Sequence, residues 1–390
     1  MKKKFASISL ALIIATTCVF PAFAANGEDI VNEGIITDVA ELSKDKKEQA
    51  IKLVETFISE SYAEYYDILN FDSEVSSVLI EGNIAEVVVK TNFKKMLKVS
   101  DASQLPYIKG MTTSVTNLEK QRSKDAVLAH FVLDEQVDAV SEYIGEVQNQ
   151  NEMFKVTFNI TEDDLSNATL EVLGLDEYIP AKYFAPSSFD ELYENGLENL
   201  QKNVDNTRAA LAITNPELNL QDRASLKMMK NTRSIKYDRI AARDYANTYT
   251  SECGNSYNTD YWNPAYAWHT ENGGVDCANY VSQAIHAGGI PTDDVWKPES
   301  IAWVNTGRNN KGGLSHYMVN SGYFKKTTRN SCAAGGFISH TDFSHVLFVV
   351  KNDTIDLLFS SHTADRLEQS FKGNYYKDFD YYYINSEYCD

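Results

Sequence analysis

The sequence predicts an α+β protein in which a smaller helix-on-sheet domain precedes a second, aromatic-rich α+β domain. Three observations predict it. Ile51, Val54, Phe57, Ile58, Tyr62, Tyr65 and Leu69 recur at three- and four-residue steps, the apolar stripe of a helix over residues 44–70. Ser77 to Ile80 and Ile84 to Lys90 are β-branched runs joined at Glu81-Gly82-Asn83, a hairpin. Much later, Val346 to Val350 and Ile355 to Phe359 flank Asn352-Asp353 as a second hairpin, after a helix over residues 277–287.

The chain begins with Lys2, Lys3 and Lys4, an apolar run from Phe5 to Phe20, and then Ala22-Phe23-Ala24. This is the pattern of a signal peptide, residues 1–24, cut after Ala24. A retained anchor needs about 20 apolar residues, and this run is shorter. The expected location is extracellular, either free or held at the cell wall, with no stable membrane insertion after cleavage. Cys18 leaves with the leader. Residues 25–43 read as a flexible lead-in.

The formal charge is −19, and it becomes −22 once the three leader lysines are gone. From Tyr237 onward the net charge is −6, so the preceding stretch carries −16. Nucleic acid and anionic membranes both select a basic face, so neither is expected as a partner. Four cysteines remain: Cys253, Cys277, Cys332 and Cys389. Their wide spacing matches no dense disulfide framework, and if Cys277 stays a thiol at most one bridge can form.

Within an expected N-terminal domain of residues 44–213, further strands are predicted at Met153 to Ile160 and Ala168 to Leu173, with the stretch before them ambiguous. One long helix followed by hairpins suggests a helix-on-sheet module of the cystatin-like or nuclear-transport-factor-like kind. Ser188 with Glu191 three residues on is a capping box. It opens a helix to about Ile213, stopped by Asn215-Pro216. Glu217 to Ser234 shows no sustained period, so residues 214–236 are expected to be a linker, with the second domain spanning 237–390.

All four tryptophans and six of the seven histidines lie after Tyr237. The sharpest local signal is Gly273-Gly274-Val275-Asp276-Cys277, which runs on to Gly288-Gly289-Ile290-Pro291. Glycines permit a sharp entry, Asp276 is a suitable helix cap, and the later glycines and proline stop the helix. Cys277 is then the first helical residue. A helix N-terminus favours a thiolate through its unsatisfied N–H groups, so Cys277 is the candidate nucleophile. The bland alternative is a buried structural thiol. The second signal is Ser344-His345 at the start of the late hairpin. With Asn352-Asp353 at the turn centre, His345 falls opposite Ser360 and diagonal to His362, within reach across strands. That makes His345 the candidate base and His362 its orienting group, although a lone histidine at a strand end is commonly a rim residue. A metal set of His340, Asp342, His345 and His362 is the rival chemistry, but no HExxH motif or paired thiolates accompany it. No cofactor is expected.

From Tyr237 to about Ile384 the residues resemble an amidase-domain family, a papain-like relative of the NlpC/P60 cysteine hydrolases found on secreted proteins of Gram-positive bacteria. The resemblance rests on Tyr237-Asp238-Arg239-Ile240-Ala241-Ala242, Asp276-Cys277-Ala278-Asn279-Tyr280-Val281-Ser282-Gln283, His286-Ala287-Gly288-Gly289-Ile290-Pro291, Ser344-His345 and Ser361-His362-Thr363-Ala364-Asp365-Arg366. It implies Cys277 as nucleophile, His345 as base and His362 as orienting group, acting on an amide such as one in a peptidoglycan stem peptide. Ala278 stands where the family often has threonine. A non-catalytic wall-binding or scaffold module on the same fold is the alternative. Lesser expectations are that Asn279 and Gln283 bond the loop before the helix, that Asp365 and Arg366 pair, that Tyr266 supplies an oxyanion donor beside the Cys277 N–H, and that Tyr375 to Ile384 forms the last strand. The bond cut and the oligomeric state are not legible.

Overall fold

The computed structural model describes residues 42–232, 235–268, 276–307, 312–373, 375 and 378–389. The leader and nearly all of the lead-in fall outside them. The architecture is mixed helix and sheet, the α+β class, with two antiparallel sheets inside a single unit of Thr37–Asp390. Among the described residues no helix is long and apolar enough to cross a membrane.

Helix α1 (Lys44–Tyr62) is capped by Ser43, whose hydroxyl accepts from the Lys46 N–H, and it buries Ala50, Val54, Ile58 and Tyr62. It ends earlier than its stripe suggests. Tyr66 already opens β1 (Tyr66–Glu81), which pairs along its length with β2 (Ile84–Leu97) around Gly82, at φ 61°. The fourteen paired positions outweigh the local period, and Leu69 is left half exposed. The ambiguous stretch that follows is helical: α2 (Pro106–Lys120) and α3 (Ala126–Ser141). Then β3 (Gln148–Asn159), β4 (Thr169–Leu173) and β5 (Tyr178–Pro180) complete a meander of order β1-β2-β3-β4-β5.

Helix α4 (Phe189–Thr214) starts as its capping box predicts, with Ser188 Oγ accepting from the Glu191 N–H at 3.3 Å. It crosses α2 where two glycines meet. A Cβ on Gly110 would sit 2.0 Å from the Tyr193 carbonyl oxygen, and one on Gly196 would sit 2.1 Å from that of Tyr107. Gly196→Ala must therefore push the helices apart. We expect a loss of about 1–3 kcal/mol, read as a lower urea midpoint; an unchanged midpoint would contradict the close crossing.

Part of the stretch expected to be a linker is helical. Helix α5 (Arg223–Thr232) occupies it and buries Leu226 and Met229 in the N-terminal core. Its two apolar anchors are too few to give a readable period.

The second sheet has the order β10-β9-β8-β7-β11-β6. Its strands are β6 (Phe324–Thr327), β7 (Phe337–His340), β8 (Val346–Asn352), β9 (Leu357–Ser361), β10 (Arg366–Ser370) and β11 (Phe379–Ile384). The last strand thus lies in the sheet interior, between β7 and β6. Helices α6 (Arg239–Thr248), α7 (Cys277–Ala287), α8 (Ile301–Val304) and α9 (Leu314–Asn320) complete this half. Val346, Phe348 and Val350 share a core with α7, while Leu347 and Val349 share another with Leu175, following the two-residue alternation of β8.

The hairpin register differs from the expected one. Phe348 pairs with Ser360 and Asn352 with Leu357, because the turn is Asp353-Thr354-Ile355-Asp356 with Thr354 at φ 72°. The turn is longer than two residues and is set by side chains from α1 and the N-terminal sheet. Tyr66 donates to Asp353, Tyr62 and Lys95 donate to Asp356, and Ile355 packs in the N-terminal core.

Candidate active site

Helix α7 is buried on every side from Cys277 to Ile285. Cys277 is its first residue, as expected, and its side chain is wholly enclosed. The thiol lies against the backbone N–H groups of Val346 and Ala278. Those contacts favour a thiolate, but burial outweighs them and the Asp276 charge adds to it, so the thiol is pushed up to about 11. The lowered value expected of a helix N-terminus is not realised. Desolvation, invisible in the local sequence, exceeds the helix-end effect.

His345 sits immediately before Val346, so its backbone is one residue from the group that touches the sulfur. Its ring, however, has Asp176, Arg366 and His340 as titratable neighbours, and it stacks on Phe343 at 6.2 Å. Burial lowers it to about 4, Asp176 opposing and Arg366 and His340 adding. Among the described residues no hydrogen bond joins this ring to Cys277. Burial raises the thiol and lowers the imidazole, so proton transfer between them is uphill in the resting structure. The resting pair is a neutral thiol and a neutral imidazole.

His362 is placed elsewhere than beside His345. Its Nδ1 is 2.8 Å from Asp276 Oδ2, and its Nε2 is 2.5 Å from the Tyr249 carbonyl oxygen. The ring is sandwiched between Trp262 and Tyr280, each with its centroid 4.1 Å away. Both nitrogens thus face oxygen acceptors, and neither serves the ring of His345. The longer turn moved His362 out of the expected diagonal.

Asp276 is correspondingly not a side-chain cap of α7. Its Oδ1 accepts from Asn279 Nδ2 at 2.9 Å, and its backbone N–H donates to Thr363 Oγ1. Asn279 also donates to the Ala267 carbonyl, as its expected role requires, and accepts from Trp303 Nε1 at 2.7 Å. Gln283 accepts instead from Tyr245 of α6. The side chains of Asp365 and Arg366 form no ion pair; Arg366 Nη1 donates instead to the Asp365 backbone carbonyl at 3.2 Å. Asp365 Oδ2 accepts from Ser251, Trp262 and the Asn258 N–H, while Arg366 donates to the carbonyls of Gly174, Leu175 and Gly254. Tyr266 stacks on Trp303. Sequence reasoning missed the Asp276–His362 clamp and its Trp262 wall, whose members are too distant in the chain for any spacing signal. The aspartate beside the cysteine was the one available hint.

His340, Asp342 and His362 do not gather as a metal set: His340 Nδ1 accepts from the Asp342 and Phe343 N–H groups, whereas the His362 nitrogens face Asp276 and the Tyr249 carbonyl. Among the described residues no group of three or more His, Cys, Asp or Glu side chains is placed to hold an ion. The four cysteines described are all free thiols.

The elevated thiol has a direct consequence. Alkylation of Cys277 by iodoacetamide, followed by peptide mapping because Cys253 and Cys389 are partly accessible, should accelerate with pH through 8 to 10. A plateau below pH 8 would contradict the dominance of burial.

Residues 236–384 match the family model described as "Putative amidase domain". The match runs from just before α6 to the end of β11, contains Cys277, His345 and His362, and suggests amide-hydrolase activity for this segment. The chain is similar to the uncharacterized protein YjcM of Bacillus subtilis (strain 168), 26% identical over 167 residues, which cover 38% of this chain and 37% of that relative. No solved structure gives a significant match.

Proposed function

We propose that the protein is a secreted, cysteine-dependent amide hydrolase acting on cell-wall peptide, with a papain-like, NlpC/P60-related C-terminal domain. The observation that carries this reading is Cys277 at the first turn of α7, its sulfur against the N–H groups of Val346 and Ala278, within the segment that matches an amidase family. The lysine-led apolar N-terminus supports export.

In this mechanism His345 takes the proton of the Cys277 thiol as sulfur attacks the amide carbon. The Cys277 N–H is one donor to the developing oxyanion. The C–N bond breaks, the amine leaves with the proton from His345, and a thioester remains. Water then gives a proton to His345 and its hydroxide to the acyl group, the C–S bond breaks, and the freed sulfur takes the proton back from His345. Substrate entry must bring the ring of His345 to the α7 side of β8, because the resting ring lies among Asp176 and Arg366. The Asp276–His362 clamp holds the first turn of α7 and so positions the nucleophile.

A non-catalytic wall-binding module is the second reading. It is favoured by a thiol raised to about 11 with no histidine ring bonded to it. Incubating purified peptidoglycan with the wild type and with Cys277→Ala, then analysing released fragments by mass spectrometry, separates the two. New fragments from the wild type alone support the hydrolase. Wall sedimentation of the protein without any fragment release supports the binding module and overturns the enzyme.

A further inference from the structure

The motif Ser361-His362-Thr363-Ala364-Asp365-Arg366 is only partly used by the mechanism above. Between β9 and β10 it makes a hairpin turn, with Arg366 paired to Ser361, and inside that turn Thr363 has φ 83°. A left-handed backbone is costly for a residue with a Cβ and a clear outlier for a β-branched one. Among the described residues only Thr354 and Thr363 are β-branched with such a φ. Thr354 lies in the turn gripped by Tyr62, Tyr66 and Lys95. Strain of this kind persists where the surroundings over-determine it, and it concentrates at functional sites. The Thr363 turn is over-determined on both flanks. Thr250 Oγ1 donates to the Ser361 carbonyl at 2.7 Å, Ser361 Oγ donates to the Ala364 carbonyl at 2.9 Å, and the Asp365 N–H donates to the Ser256 carbonyl at 2.8 Å.

What the strained turn presents is a hydroxyl aimed at the residue before the nucleophile. Thr363 Oγ1 accepts from the Asp276 N–H at 2.9 Å. Asp276 is engaged at each of its polar groups: besides that N–H, Oδ2 faces His362 Nδ1, Oδ1 accepts from Asn279, and the carbonyl accepts from the Tyr280 N–H at 3.0 Å. The last two partners belong to α7 itself. The first two are consecutive residues of one turn in the opposite sheet. His362 holds a carboxylate, which can rotate on its own side-chain torsions, whereas Thr363 holds the backbone. With the Asp276 N–H taken by Thr363, the next two N–H groups, of Cys277 and Ala278, lie against the sulfur.

We propose that Thr363 is a positioning residue for Cys277: its left-handed turn aims the hydroxyl at the Asp276 N–H, and that bond keeps the sulfur and the Cys277 N–H in place at the first turn of α7. Glycine would relieve the turn but supply no acceptor. Valine would keep the shape and the strain without the acceptor, and serine keeps the acceptor. The effect on turnover rests on the hydrolase reading above; the effect on the thiol does not.

The test compares Thr363→Val, Thr363→Gly and Thr363→Ser with the wild type in two assays. In fragment release from soluble peptidoglycan, the valine and glycine variants should lose about tenfold or more in kcat with little change in KM, since a misplacement of about 1 Å can cost on the order of 100-fold. Thr363→Ser should stay within about threefold of the wild type. Thr363→Gly accepts φ 83° without strain, so it should melt no lower than Thr363→Val and yet be equally impaired. A role through stability alone would instead make kcat follow the melting temperature. In the second assay, iodoacetamide at about pH 9 with peptide mapping should label Cys277 about threefold or more faster in the valine and glycine variants, because a loosened first turn opens more often. Cys389 should be labelled at the wild-type rate in all of them. Wild-type labelling of Cys277 in both variants, wild-type kcat in both, or a serine variant as impaired as valine would overturn the positioning role and leave the hydrolase reading standing. If the wild type releases no fragment, the hydrolase reading fails, and faster Cys277 labelling in the two variants still upholds the hold of Thr363 on α7.

Discussion

Lys95→Ala is expected to destabilise the protein by about 3–5 kcal/mol, because it strips one partner from a buried ion pair and leaves the other charge enclosed. Lys95 Nζ and Asp356 Oδ2 are 2.5 Å apart, with side chains 0% and 5% exposed. The same carboxylate accepts from Tyr62 at 2.8 Å and from Ser370 at 2.7 Å. Burial lowers Lys95 from 10.5 to about 8, Asp356 opposing, so folding disfavours its proton and stability rises as pH climbs from 8 to 10.5. Asp356 is held well below 3.8 by Lys95 and Lys351 against its own burial. Its contribution is present above pH 3.8 and is lost as pH falls below that. The two shifts oppose one another at neutral pH, which is why removing one partner should cost much more than the pair contributes. Urea midpoints should show Lys95→Met/Asp356→Leu losing less than Lys95→Ala. A loss below about 1 kcal/mol for Lys95→Ala would contradict the burial argument.

The consequence reaches the site. Ile355 at the hairpin tip packs in the N-terminal core at 2% exposure, and Asp353 accepts from Tyr66 at 2.8 Å. The N-terminal sheet thus grips the turn that separates the strands following His345 and preceding His362. Lys95→Ala should lower any turnover along with stability, through the position of β8 and not through contact with substrate.

The second large effect concerns His345. Under the proposed mechanism His345→Gln should reduce turnover by about 10²–10⁴-fold, the usual worth of a general base, with little change in fold. His345 is at about 4, below the ordinary histidine value of 6.5, so an unfolded chain takes up its proton first on acidification. Wild-type stability should therefore fall as pH drops from 6.5 towards 4, and this component should vanish in His345→Gln. His362→Gln should behave differently. Removing the ring from between Trp262 and Tyr280, and from Asp276, should lower the melting temperature as well as turnover. If His345→Gln turns over at the wild-type rate while His362→Gln retains its fold and is inactive, the base is misassigned.

The parts of this protein that were legible in its sequence are those set by near neighbours. Ser188 and Glu191 announced α4, and glycine entry with Gly288-Gly289 bounded α7 around Cys277. Strand alternation found both hairpins. What was hidden depends on residues distant in the chain. The turn at Asp353–Asp356 is shaped by Tyr62, Tyr66 and Lys95, so its length and the resulting register of His345 and His362 could not be counted from Asn352-Asp353. Helix α5 is defined by where Leu226 and Met229 dock. Asp276 read as a cap because that is the local use of an aspartate at a helix start; a histidine 86 residues on claims it instead. Similarly, the field of a helix end is local, whereas the burial that raises the Cys277 thiol comes from β8 and the surrounding core.

The most direct test of the account is intact-mass spectrometry of the protein quenched in acid during incubation with soluble peptidoglycan fragments. The account predicts a wild-type adduct with the mass of the acyl product, mapped to the peptide containing Cys277 and absent from Cys277→Ala, which releases no product. Product release by Cys277→Ala at the wild-type rate would contradict it.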